Sequence, residues 1–333
     1  MRKDIKLTFV EPYKYERIYP KISGYTTCYN CETLGVPYIE SIKSMLGFCD
    51  EVVVLDGVSD DGTYEKLEEL AGQDDKIKLY QNEFDWSEPG IDGNQKAFAR
   101  ALCENDFCWQ QDADEIVSEE DYEKIKMITK RFPSDIDILH LPMIELWGDE
   151  NHCTARRHLW KWRLSRNKPE ITQGINKYAR IINEETGQVY SNGNCDGCSY
   201  INVMSQEPLP HTGFYNQNLE LLRIHAPEEF EKAMNNIYAN IPSIFHYSWF
   251  NLSNKIKQLK PGGTWEKLWS LLFQKECQDR FSDVNTEEEI KECVKKLHEQ
   301  GGEDSDQLKY KFKLLKKNPE IMKEWIEKNK EDF

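Results

Sequence analysis

EVVVLDGVSDDGTYEKLEELA, residues 51–71, sets the architecture. Glu51–Asp56 is a short β-branched run bounded by polar residues, which is how a strand buried on both faces of a parallel sheet reads. The cluster Ser59-Asp60-Asp61-Gly62-Thr63 ends it, and Tyr64–Ala71 follows with helical character. Upstream, Lys21–Asn30 (KISGYTTCYN) is rich in Thr, Tyr and Ile and runs as a strand into a loop. Ile39, Ile42 and Leu46 then recur at helical spacing behind Pro37, a residue suited to a first turn. Downstream, Lys76–Tyr80 alternates as a strand, Asn94–Cys103 is helical, and Asp106–Gln111 (DFCWQQ) is a further strand that ends abruptly in Asp112-Ala113-Asp114-Glu115. Ser118 and Asp121 form an expected capping box for a helix reaching about Arg131, and Asp137–Leu146 is another strand. Alternating β and α elements from residue 21 to about 146 predict an α/β fold, a mostly parallel sheet flanked by helices.

The rest of the chain is read more coarsely. Residues 1–20 are a charged, Tyr-rich lead, residues 21–215 hold the sheet with a mixed stretch rich in Arg, Trp, Gly and Asn from about 150, and residues 216–333 form a helical C-terminal extension. Its last part, Thr286–Phe333, interleaves Lys and Glu around Leu314, Leu315, Ile321, Trp325 and Ile326, the pattern of amphipathic helices packed on a body.

Acidic residues outnumber basic ones 59 to 43, and the formal charge of −16 repels polyanions, so nucleic acid is disfavoured as a partner. No stretch approaches the roughly 20 apolar residues that cross a bilayer, and the N-terminus carries charges where a secretion signal needs its apolar segment. A cytoplasmic protein with at most peripheral membrane contact is expected. Ten cysteines in 333 residues are too sparse for a disulfide scaffold, and free thiols are the default. Cys28/Cys31 and Cys195/Cys198 have Cys-x-x-Cys spacing, yet their wide separation disfavours a zinc ribbon.

Ligands of an open parallel sheet bind at the carboxyl ends of its strands, where two of these strands place carboxylates: Asp56, and Asp112 with Asp114. Ser59, Asp60, Asp61 and Thr63 read equally as turn and cap residues. Alternate carboxylates past a strand suit a hard divalent cation that keeps positions open for phosphates. Such a cation neutralises a diphosphate leaving group.

The succession TTCYNCE, VVVLDGVSDDGT, GNQKAFARAL and a strand-end DADE followed by an acidic helix resembles the family 2 glycosyltransferases of GT-A fold over residues 21–132. Within them it resembles most closely the branch that builds lipopolysaccharide cores and other surface glycans. The resemblance implies transfer of one sugar from a nucleotide-diphosphate sugar, a UDP-sugar favoured, to a glycan or lipid-linked acceptor, usually with inversion and with Mn²⁺ or Mg²⁺. It places the nucleoside near Thr27, Tyr29, Asn30, Glu32 and Asp56, a basic group at Lys96, the ribose and metal near Asp112, and the metal on Asp114. Where relatives have Pro-Thr-Tyr-Asn-Glu-Glu, this chain has Thr27-Cys28-Tyr29-Asn30-Cys31-Glu32. His246, in IFHYSW, falls at a His-Tyr-Gly-Trp-like motif and is a further metal or diphosphate candidate, although a histidine among aromatics is more often a packed, hydrogen-bonded core residue. An inverting transfer needs a general base, and the candidates are Asp196, Glu145 and Asp149. Arg163, Arg166 and the loop 171–175 are candidates for phosphate or acceptor contact. The Gln-x-x-Arg-Trp signature of processive members is absent, which favours single-sugar transfer. Two rivals stand beside this reading. A sugar-phosphate nucleotidyltransferase would open with a Gly-rich, Arg-Lys loop that TTCYNCET lacks, and a non-catalytic nucleotide-sugar binder would use the helical tail for docking.

Overall fold

The computed structural model of the protein describes residues 19–84, 91–134, 136–154, 160–169, 171, 180–182, 189–191, 200–202, 219, 221–263, 281–300 and 311–330. Its first half repeats strand and helix: β1 (Ile22–Cys28), α1 (Cys31–Leu34), α2 (Tyr38–Leu46), β2 (Glu51–Asp56), α3 (Thr63–Ala71), β3 (Ile77–Gln81), α4 (Ile91–Ala101) and β4 (Phe107–Gln110). β5 (Glu115–Val117), α5 (Tyr122–Lys130), β6 (Ile138–Trp147), β7 (His152–Thr154) and β8 (Trp160–Arg166) follow, then the short strands β9 (Arg180–Ile182), β10 (Val189–Ser191) and β11 (Tyr200–Asn202). The last third contributes α6 (Pro227–Asn240), β12 (Ile244–Trp249), α7 (Leu252–Leu259), α8 (Glu287–Gln300), β13 (Lys311–Lys313) and α9 (Lys323–Asn329).

The fold is α/β, with a helix-flanked sheet whose first half, in the order β3-β2-β1-β4, is wholly parallel. Strand β2 shows why. Val52 and Val54 join α2 residues Ile42 and Met45 on one face, whereas Val53 and Leu55 join Ala99 of α4 on the other. Side chains alternate across a strand, so a run apolar at every position is stable only when both faces are covered. Each of these four residues is wholly buried, a contribution of roughly 1.5–3 kcal/mol apiece.

Beyond β4 the sheet continues through antiparallel β8 to β6. The first half of β6 lies between β8 and parallel β11, and its second half pairs with β12 and β7. The change of partners falls beside Pro142, where a strand can do without an amide donor. Strand β12 lies between antiparallel β5 and parallel β6, so a stretch expected to be helical supplies a strand to the middle of the sheet. Its Phe245 and Tyr247 join Ile144 and Leu146 of β6 in one cluster, and past an irregularity in the register Trp249 pairs with Trp147 and stacks on it in another.

The expected capping box does not form. Ser118 makes no side-chain cap bond, and a 3₁₀ turn over Glu119–Asp121 precedes α5. Asp121 is wholly buried and accepts from Lys316 Nζ at 2.6 Å and Ser243 N at 3.1 Å. Lys124 of α5 reaches its other oxygen at 2.6 Å, so both carboxylate oxygens of this buried group meet a cation. The seven described cysteines are free thiols, and among the described residues no helix is long and apolar enough to cross a membrane.

Candidate active site

The carboxyl ends of β1 and β2 meet in one loop layer. Asp56 closes β2, wholly buried, and accepts from Ser59 N at 3.0 Å, Ser59 Oγ at 2.6 Å and Gln81 Nε2 at 3.2 Å. This turn is tied to the loop after β1. Asn30 N donates to Ser59 Oγ at 3.0 Å, Asn30 Nδ2 donates to Asp60 at 2.8 Å, and Asp60 N returns a bond to Asn30 Oδ1 at 3.0 Å. Asp61 takes Thr33 N at 2.7 Å and Thr63 Oγ1 at 2.6 Å, so the acidic cluster serves the turn and the start of α3. Tyr29 stacks on Phe84 with ring centres 5.8 Å apart. Gly57 lies under the stack, where a Cβ would come within 2.9 Å of both rings. Glu32 is held by Tyr38 Oη at 2.8 Å and Lys66 Nζ at 2.5 Å, and Thr27, half-buried, pairs with Leu55 in the ladder.

At the end of β4, Gln111 anchors the backbone through Ser41, Ser44 and the Glu115 carbonyl, and Asp112 and Glu115 enter a charged network. Asp112 meets Lys96 at 2.7 Å, Arg163 at 3.1 Å and Lys161 at 3.5 Å. Glu115 meets Arg163 at 2.6 Å and Lys161 at 2.9 Å, and Lys96 also meets Asp92 at 2.9 Å. Arg163 reaches Gln110 Oε1 as well. Burial alone would raise both carboxyls. The Lys96, Arg163 and Lys161 charges outweigh it for Asp112 and hold it well below its usual range, and Arg163 and Lys161 outweigh it for Glu115 and lower that carboxyl too. Burial lowers Lys96, but Asp112 and Asp92 more than reverse this. Lys161 and Arg163, two apart on β8, share a face and point at this end of the sheet.

Asp114 stands apart from that network. β12 pairs antiparallel with β5, and Tyr247 N donates to the Asp114 carbonyl at 2.9 Å, a register that brings His246 alongside. His246 Nε2 is 3.2 Å from Asp114 Oδ2, and its Nδ1 is 2.9 Å from Glu145, its parallel register partner on β6. Burial pushes the His246 imidazolium down, but Glu145 and Asp114 outweigh it and hold it up at about 10. Burial likewise raises Asp114, and His246 overcomes this and holds it at about 2.

Of the three expected metal ligands, Asp114 and His246 are brought together, whereas the Asp112 carboxylate is turned to cations. Among the described residues no three His, Cys, Asp or Glu side chains converge on one ion-sized space. Two do fit. A carboxylate oxygen and an imidazole nitrogen that share a divalent ion lie about 3 Å apart, and Mg²⁺-type sites take one or two protein ligands and fill up with phosphate and water. Glu145 behind Nδ1 is the orienting carboxylate such a histidine requires.

The remaining candidates separate. Glu145, 2% exposed, is taken up by His246. Asp149 lies in the β6–β7 turn with His152 at 2.8 Å, His298 at 3.3 Å and Lys311 at 3.6 Å. Asp196, Cys195, Cys198 and residues 172–175 lie outside the described residues. Arg166 braces the fold, donating to the Ile136 and Pro133 carbonyls at 2.9 Å each. Lys161 was not singled out from the sequence, although two cations at alternate positions of an otherwise aromatic strand (WKWR) had to share a face and find anions.

The sequence model of the family described as "Glycosyl transferase family 2" matches residues 25–203. No curated protein matches the chain. Among solved structures, the chain is similar to S. aureus TarS (19% identity, covering 44% of this chain and 28% of that one, TM-score 0.33). It is also similar to S. aureus TarS 1-349 in complex with UDP-GlcNAc (18%, 66% and 66%, 0.35) and to GalNAc-T7 with UDP, GalNAc and Mn2+ (17%, 44% and 30%, 0.32). The match thus spans less than a third of the TarS and GalNAc-T7 chains in those structures.

Proposed function

The chain belongs to glycosyl transferase family 2, and from that premise we propose that it moves one sugar from a nucleotide-diphosphate sugar, a UDP-sugar favoured, to a hydroxyl of a glycan or lipid-linked acceptor, with inversion and with Mn²⁺ or Mg²⁺. The order of TTCYNCE, DGVSDDGT and DADE favours the surface-glycan branch. The observation that carries the reading is the Asp114–His246 pair at the carboxyl end of the parallel sheet, 3.2 Å apart and backed by Glu145.

In this mechanism Asp114 and His246 would hold the cation, which would offset the charge on the departing diphosphate. Glu145 acts as a positioning residue: it keeps the His246 proton on Nδ1 and so leaves Nε2 as the donor nitrogen. The Tyr29–Phe84 stack walls the nucleoside, and Asp56 accepts from the base once its Ser59 turn yields to it. Lys96, Lys161 and Arg163 fix Asp112 beside the ribose, in a network of three cations and three carboxylates that leaves little net local charge. With Glu145 committed to His246, the acceptor proton goes to Asp149 or Asp196, and the D149N and D196N variants separate those two.

Asp114→Ala should abolish nucleotide release from a donor, Mn²⁺ and acceptor mixture while the protein still melts in one cooperative transition. Full turnover by that variant would remove the metal assignment. Donor binding without release across a wide acceptor panel would instead identify a nucleotide-sugar binder.

A further inference from the structure

Among the described residues, the non-glycine residues with a left-handed backbone are Asn30, at φ 47°, and Val58, at φ 61°. They lie in the same loop layer, but their circumstances differ. Asparagine visits this region readily through its short polar side chain, and Asn30 exchanges bonds with Asp60 in both directions. Val58 has no polar atom to offer, and its branched Cβ crowds the carbonyl that follows, so valine is among the residues least suited to this conformation. Four residues on, the same loop meets a positive φ with glycine, Gly62 at φ 94°.

Core packing does not account for the valine. Val58 is 49% exposed, whereas Val52, Val53, Val54 and Leu55 before it are wholly buried. Its neighbours hold the strain in place. Gly57 N donates to the Cys28 carbonyl at 2.8 Å, Ser59 donates twice to Asp56, and Ser59 Oγ accepts from Asn30 N. Residue 58 is thereby fixed between Gly57, which lies under the Tyr29–Phe84 stack, and Ser59, which occupies Asp56. Gly57 brings no side chain to this rim, and the isopropyl group of Val58 does. A strained conformation that its surroundings over-determine, with no packing gained in return, marks a residue kept for a contact outside the fold.

We propose that Val58 is a donor-contacting residue whose isopropyl group packs on the nucleoside of a nucleoside-diphosphate donor, at the rim formed by Asp56 and the Tyr29–Phe84 stack. This rests on the donor reading given above. The group is apolar, so its contact is with the base or the sugar carbons and not with the phosphates. The ties that hold the loop also mean that little ordering is left to be done when the ligand arrives.

Calorimetric titration of the full chain with UDP, GDP, CDP and ADP identifies the base, and the monophosphate of that base separates the nucleoside from the diphosphate. Val58→Ala removes two methyl groups and keeps a Cβ, and it should weaken diphosphate and monophosphate by the same factor, about 4- to 15-fold, the loss of one or two buried methyl groups. Val58→Asn, suited to a left-handed backbone, should raise the melting temperature of the ligand-free protein while weakening the nucleotide to a similar extent. Stability and affinity thus move in opposite directions, which a merely structural role for Val58 does not produce. A more stable Val58→Asn with unchanged nucleotide affinity would overturn the proposal, as would a loss for the diphosphate that the monophosphate does not share. If the unmodified protein binds none of the four diphosphates, the donor reading falls and takes this one with it. A bound diphosphate that Val58→Ala leaves unaffected removes Val58 alone.

Discussion

The proposed Asp114–His246 site makes a steep pH dependence the expected outcome for Mn²⁺ binding, because an ion there would compete with a proton for His246. Metal coordination requires a neutral imidazole. In the metal-free protein burial disfavours the imidazolium, yet Glu145 and Asp114 hold it up at about 10, so near neutrality the ring carries a proton that must leave as the ion enters. Asp114, held at about 2, is ionised throughout and adds no slope. One displaced proton means about a tenfold gain in apparent affinity per pH unit below about pH 10, hence roughly 100-fold, about 2.7 kcal/mol, between about pH 6.5 and about pH 8.5. Calorimetry in two buffers of different protonation enthalpy reads the affinity and counts the proton released. His246→Gln should bind weakly and without the slope. Affinity that is flat over those two units in the unmodified protein, or no proton released, would refute the competition. Stability runs in the opposite direction. A raised histidine stabilises the fold fully below its ordinary value of 6.5, and that contribution is lost as pH rises through about 10.

Two further perturbations test the scaffold of the site. Arg163→Met leaves Glu115, wholly buried, with Lys161 but without its closest cation, and should cost about 3–5 kcal/mol in urea denaturation. Adding Glu115→Gln withdraws the stranded charge and should recover part of the loss, so a double variant no better than Arg163→Met would contradict the network. Gly57→Ala sets a methyl 2.9 Å from both Tyr29 and Phe84, and should cost about 1–3 kcal/mol and weaken UDP binding without touching Mn²⁺ affinity. Unchanged UDP affinity would show that the stack does not meet the base.

The sequence disclosed whatever depends on local pattern. The unbroken run Glu51–Asp56 specifies a strand buried on both sides, and the loops that carry Asp56, Asp112 and Asp114 follow from where the strands stop. What it hid depends on register between distant segments. Glu145 reads as a candidate general base until β12 is laid parallel to β6 and sets His246 beside it. Arg163 reads as a surface cation for phosphate, yet the antiparallel placement of β8 against β4 buries it over Glu115. Ser118 and Asp121 match a capping box in sequence, but Asp121 turns inward to Lys316, 195 residues further on, as well as to Lys124. In each case a charged group found its match far along the chain, and spacing alone carries no record of that.

The Leu34 carbonyl has an implication for how the protein comes into being. Its two side-chain partners, Asn254 and Gln258, leave the ribosome more than 200 residues after it does. A chain translated only as far as the parallel strands lacks both partners, so the end of α1 is completed by side chains that arrive after nearly the whole sheet has been made.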